Sequence, residues 1–184
     1  MKIKEITRKN IEKVGGKWRS DKDGAFWEVE ANSFILHAES FLRAPPSKPL
    51  WIGFDCTIGH KKLAGVANLI MGDKLSNFVS LRWFQKSAYV DLPEQVENAS
   101  LELMVELVDK LKAENINQLI EDFRLNRPDR PSMPQINHLA ALAWLKDSDT
   151  LEDYQRIFAA GNHLNFVPMI DKAMIDRALE FAQK

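Results

Sequence analysis

The chain has 184 residues, 45% of them hydrophobic and 28% charged, with a formal net charge of −1. These proportions are those of an ordinary globular protein, long enough for one sizeable core or for a domain with a second small packing unit, and they exclude a disordered or fibrous chain. The near-neutral balance lacks the overall basic field of a nucleic-acid binder, and the single cysteine, Cys56, rules out an internal disulfide.

In chain order, Ile3, Ile6, Ile11 and Val14 fall within one arc of a short amphipathic helix, which Gly15-Gly16 ends. Charges at Lys2, Lys4, Glu5, Arg8 and Lys9 interrupt this opening, so it is not the apolar stretch of a signal peptide. No later run reaches the ~18 to 20 apolar residues of a membrane helix, and the expected compartment is the cytoplasm. Residues 1–22 hold eight Lys or Arg against three acids, whereas residues 91–122 hold nine acids against two Lys. The two segments either attract each other within the fold or form two solvated helix faces.

Lys17-Trp18-Arg19 and Ala25 to Glu30 flank a loop ending in Asp23-Gly24, which predicts a hairpin. Phe34, Leu36 and Ala38 alternate as a further strand, and the proline-bearing segment 44–49 is a surface connection. The clearest strand follows, with Ile52, Phe54, Cys56 and Ile58 alternating with Gly53, Asp55 and Thr57, the period of a sheet packed on one face. Gly59-His60 breaks it, and Lys61 to Met71 reads as a helix stopped by Gly72-Asp73. Phe78 to Phe84 and Ala88 to Leu92 read as a second hairpin joined near Gln85-Lys86-Ser87.

The strongest helix runs from about 94 to 112, where Leu101 and Val105 widen the apolar stripe enough to predict cover on two sides. Three prolines within residues 126–134 mark a boundary. Beyond it the chain reads as all helix, with one segment carrying Ile136 to Trp144, a second capped by Asp149 or Thr150, and a last one from Ile170 to Phe181. The predicted class is α+β: an N-terminal helix, an antiparallel sheet of about five strands with helices on one face, and a C-terminal helical extension. Its expected organisation is a sheet domain over 1–125, a connection over 126–134, and helices over 135–184 packed on that domain.

No arrangement of residues here demands chemistry. Gly53 and Gly59 ahead of His60-Lys61-Lys62 are spaced by five residues rather than the four of a phosphate-binding loop, and three basic groups at a helix start oppose its dipole. Cys56 and His60 suggest a thiol and imidazole pair, but alternation turns Cys56 inward. His37, His60, His138 and His163 lack the spacing of zinc ligands, so no metal or cofactor is expected. Glu28 and Glu30 read as solubilising carboxylates, and Asp171, Asp176 and Glu180 near Arg177 as helix-surface pairs.

The aromatic content of the sheet stands out instead. Whichever alternating set points inward, the other face still carries aromatic residues, where a one-layer sheet should show a polar surface. Trp51, Phe78, Arg82 and Phe84 are therefore the candidate residues for binding a protein partner or a second copy, being types enriched at interface cores.

Through residue 112 the elements condense to helix, three strands, helix, two strands, helix. That order resembles the small chaperones of type III secretion systems, which implies a cytoplasmic, homodimeric, non-enzymatic binder of an extended protein segment. The whole chain also looks like an uncharacterised bacterial protein family, which implies no known activity. The expected function is thus a non-enzymatic protein-binding module, chaperone-like or toxin-antagonist-like and homodimeric. The alternatives are a small-ligand or catalytic site between sheet and C-terminal helices using Arg82, His138 or His163, and nucleic-acid binding through Lys2 to Lys22 with Trp18.

Overall fold

The computed structural model describes residues 3–20, 24–46, 49–72, 79–125 and 134–184. In chain order its elements are α1 (Ile3–Ile11), β1 (Lys17–Ser20), β2 (Ala25–Ala31), β3 (Phe34–Arg43), β4 (Leu50–His60), α2 (Lys61–Met71), β5 (Ser80–Val90), α3 (Val96–Ala113), α4 (Ile116–Leu125), α5 (Pro134–Trp144), α6 (Ser148–Ala159) and α7 (Lys172–Ala182). The class is α+β. Residues divide into two compact units, Met1–Gly59 with Ser80–Glu114, and His60–Val79 with Asn115–Lys184.

The first unit is a five-stranded antiparallel sheet in the order β1-β2-β3-β4-β5, with α1 and α3 on one face. Period-2 alternation sorts its side chains. Trp27, Val29, Leu36, Ala38, Ile52, Phe54, Cys56 and Ile58 are all buried and form the helix-covered face, and the Trp27 ring meets Phe54 edge-on at 5.6 Å. From α1, Ile11 enters this core, and so do two polar residues. Thr7 donates back to the Ile3 carbonyl at 2.9 Å, and Asn10 Nδ2 donates to the Glu97 carbonyl at 3.1 Å, tying α1 to the first turn of α3. Beside that bond Lys9 reaches Glu97 at 2.7 Å, and the hydrogen bond holds the Glu97 carboxyl below its ordinary range. The basic start and the acidic segment therefore do meet, through a partly solvated pair.

Three sequence expectations change here. Residues 85–87 are not a turn: β5 runs unbroken from Ser80 to Val90, paired from Leu50↔Val90 through Ile58↔Arg82. The polar run Gln85-Lys86-Ser87 contains no residue that favours positive φ, and it is polar because an edge strand is solvated. Four strands precede α2, matching the hairpin and two further strands read from the sequence rather than the condensed count of three, and one strand follows it instead of two. Third, α3 buries one stripe, Val96, Ser100, Leu103, Met104, Leu107, Val108 and Leu111. Val105 stays 45% exposed, so within the chain's described residues the buried stripe is narrower than its sequence suggests. Phe78 lies outside the described residues.

The second unit is helical, with α5 at its centre. Leu139, Ala140, Ala141, Leu142 and Ala143 are no more than 1% exposed, because α2, α4, α6 and α7 all pack against α5. The small residues of α5 permit close approach on every side. α2 begins and ends as its sequence suggests, and each end is capped. His60 Nδ1 accepts from Leu63 N–H at 3.2 Å, so this histidine is a neutral N-cap and not a third positive charge against the dipole. Burial first, and the Lys62 charge second, hold its imidazole below the ordinary pKa. At the other end Gly72 takes the left-handed conformation, φ 79°, that closes a helix. Arg177, expected in a surface pair with acids, instead donates Nε–H to the Ile70 carbonyl at 2.6 Å and so satisfies the α2 terminus. The cap of α6 is Asp147, whose side chain accepts from Thr150 N–H, rather than Asp149 or Thr150.

Candidate functional site

The register of β4 against β5 decides which residues share a face. Trp51 pairs with Tyr89, Gly53 with Ser87, Asp55 with Gln85 and Thr57 with Trp83. These eight lie on the face opposite α1 and α3. Arg82 and Phe84 lie on the other: Arg82 reaches Glu114 at 3.1 Å, and the Lys110 ammonium of α3 sits 4.1 Å from the centre of the Phe84 ring. Of the residues singled out from sequence, Trp51 is on the open face, Arg82 and Phe84 are under α3, and Phe78 is not described.

What accompanies Trp51 comes from elsewhere. Phe41 of β3 meets it edge-on at 5.3 Å, and Tyr89 stacks against it with ring centres 6.1 Å apart. The Arg43 guanidinium lies 4.6 Å from the Trp51 ring and 5.2 Å from Phe41, a cation–π arrangement that fixes an otherwise mobile side chain. Gly53 makes this cluster possible. A Cβ there would stand 2.6 Å from Phe41 Cζ and from the Lys86 carbonyl, so only glycine lets the Phe41 ring lie flat on the sheet. Tyr89 and Trp83 remain 69% and 67% exposed, and between them Gln85 donates to Asp55 at 2.8 Å. The result is an aromatic row with a short polar strip, set on rigid strands.

Elsewhere on this face Ile35 is buried, Phe26 lies 4.8 Å from the His37 ring, and polar side chains pair beside them. Glu28, its side chain only 16% exposed, is held by His37 at 3.1 Å and Arg19 at 3.5 Å, so it is an ion-pair partner within the sheet rather than a free solubilising carboxylate.

The other chemically suggestive residues are engaged in structure. Cys56 is fully buried and its thiol contacts the Phe54 carbonyl at 3.6 Å. Burial, reinforced by the Asp55 charge, pushes its pKa up to about 12 from an ordinary 9.0. Since the unfolded thiol ionises first, wild type should lose stability relative to Cys56→Ala between pH 9 and 12, by about 1.4 kcal/mol per pH unit. Denaturant titrations of both proteins at pH 8 and pH 10.5 check this. Equal pH dependence would show that the thiol is not buried.

His138 is 2% exposed and both of its ring nitrogens are occupied, one by the Phe123 carbonyl and the other by Tyr154 Oη at 3.0 Å. It pins α5 to the end of α4 and to α6. His163 is exposed, with its ring 5.1 Å from Phe158. A groove of about 620 Å³ beside α6 and α7 is lined by Glu152, Gln155, Arg156 and Lys172 among others. Its cations are already engaged, Lys172 by Asp176 at 2.7 Å and Arg156 by Asp153. Among the described residues no cluster of His, Cys, Asp or Glu is placed to hold a metal ion.

A family model described as a family of unknown function (DUF6990) matches residues 2–183. The chain belongs to the DUF6990 family. No curated protein and no solved structure matches it. Among the described residues of this DUF6990 chain no helix is long and apolar enough to cross a membrane.

Proposed function

We propose that this DUF6990 chain is a cytoplasmic, non-enzymatic protein-binding module, chaperone-like or toxin-antagonist-like, and that the open face of its sheet is the binding surface. One observation carries the reading. Trp83 and Tyr89 stand 67% and 69% exposed on the same rigid face as Trp51, Phe41 and Arg43. Leaving two large aromatics in water forfeits several kcal/mol of burial free energy, and exposed apolar surface beyond scattered single residues marks contact sites in soluble proteins. Trp, Tyr and Arg are also the side chains that dominate binding energy at interface centres.

The test compares the tagged chain with its Trp83→Ala, Tyr89→Ala double variant. Both positions are solvated, so the variant should keep the wild-type melting temperature to within a few degrees. Capture from the native host followed by mass spectrometry should then recover a protein with wild type that the variant loses, an untagged copy of the chain included. Identical recoveries from the two baits would remove the open face as the binding surface.

A further inference from the structure

The exposed aromatics belong to the last strand of the sheet. Among the described residues β5 pairs with β4 on one side only, residue for residue from Arg82 to Val90 and with a register shift beyond Arg82. Its other edge offers a row of N–H and C=O groups, the kind of template that natural proteins shorten, cover or charge. β5 is neither short nor covered: Arg82, Trp83, Gln85, Lys86, Ser87 and Tyr89 are all exposed.

The order of residues along that edge is self-complementary about Lys86. If a second copy of β5 runs antiparallel with Lys86 at the two-fold axis, Trp83 falls opposite Tyr89, Gln85 opposite Ser87, and Phe84 opposite Ala88, each pair occurring twice. Directly opposite residues share a face, so all four exposed aromatics meet in cross-strand aromatic pairs on the open face. Trp51 already stacks on Tyr89, and the row Phe41, Trp51, Tyr89 would continue into Trp83 of the second copy.

A lysine at the centre of an edge strand ordinarily opposes such pairing. Here its charge is answered, because Lys86 is held at 2.6 Å by Glu106 of α3 on the helix-covered face. Two lysines and two glutamates around the axis form a neutral set.

We infer that the occupant of this surface is a second copy of the chain, joined β5 to β5 in that register to make a continuous ten-stranded antiparallel sheet. The inference rests on the protein-binding reading of the open face and names the partner. About eight to ten inter-strand hydrogen bonds would form, and the symmetric closure leaves no free edge at the junction.

Two measurements test it. Sedimentation of the full chain from 1 to 100 µM should show a doubled mass. The Lys86→Cys variant, whose new thiol would face its own copy at a Cα separation of about 4.5–5.5 Å, should oxidise almost wholly to a covalent dimer. Ser80→Cys, exposed on the same strand but about 40 Å from its counterpart in this register, should not. Buried Cys56 stays out of the exchange.

A monomer throughout the concentration range overturns the inference, as does a dimer in which Lys86→Cys fails to cross-link or cross-links no better than Ser80→Cys. If the chain is monomeric yet Trp83→Ala, Tyr89→Ala still loses a captured host protein, the β5 pairing fails while the protein-binding reading stands.

Discussion

Ending the chain after Leu125 is expected to abolish the fold of the second unit and to leave a protein that aggregates. The reason lies in α2. Its buried residues Leu63, Ala64, Val66, Ala67 and Ile70 face α5 and α7, and Arg177 of α7 supplies the bond to its final carbonyls. Removing α5, α6 and α7 strips these contacts and leaves α2 and α4, too short to be stable helices by themselves. Exposing three large aliphatic side chains alone forfeits roughly 5–9 kcal/mol, comparable with the whole stability of a domain. Circular dichroism and gel filtration of the truncated chain check this. A soluble, cooperatively melting product with the helix content of the remaining elements would show that α2 does not depend on the C-terminal helices.

The second large effect is expected at Trp27. It is fully buried at the centre of the helix-covered sheet face, with Phe54 against its ring and Gly16 beside it. Trp27→Ala should cost about 3–5 kcal/mol. Trp27→Phe should cost clearly less, because the indole Nε1 is buried without a hydrogen-bond partner, and losing an unpaired donor removes a penalty along with the contacts. Urea denaturation of the three proteins should rank them wild type, Trp27→Phe, Trp27→Ala. Equal losses for the two variants would mean that the indole N–H is satisfied in solution.

How much of this was legible in the sequence depends on the range of the forces involved. The Lys61–Met71 helix and the alternation of β4 are local matters of period and capping, and both can be read directly. The hairpin over β1 and β2 also follows from its turn residues. The single β5 was hidden because a solvated edge strand has polar residues on both faces, and Gln85-Lys86-Ser87 then looks like a loop. That one misreading propagates into the site. With β5 split in two, Phe84 and Arg82 pass for neighbours of Trp51, whereas the inter-strand register pairs Trp51 with Tyr89 and sets Phe84 opposite Cys56. Register is a long-range property, and a shift of one residue exchanges the two faces. Arg43 and Phe41 were missed for a similar reason, since β3 continues past its last alternating apolar residue up to the proline segment. The role of Arg177 joins residues 107 apart in sequence and has no local signal at all.

The interleaving of the two units has a consequence during synthesis. α2 leaves the ribosome between two strands of the sheet, yet its packing partners α5 and α7 end at Trp144 and Ala182. At 5–20 residues per second the last of them follows α2 by roughly 5–20 s. For that interval the nascent chain carries the apolar stripe Leu63, Val66, Ala67 and Ile70 with nothing to bury it, while the sheet can close as soon as β5 and α3 emerge. Vectorial folding therefore runs out of step with chain order, and the waiting helix is the segment that stays exposed to holdases longest.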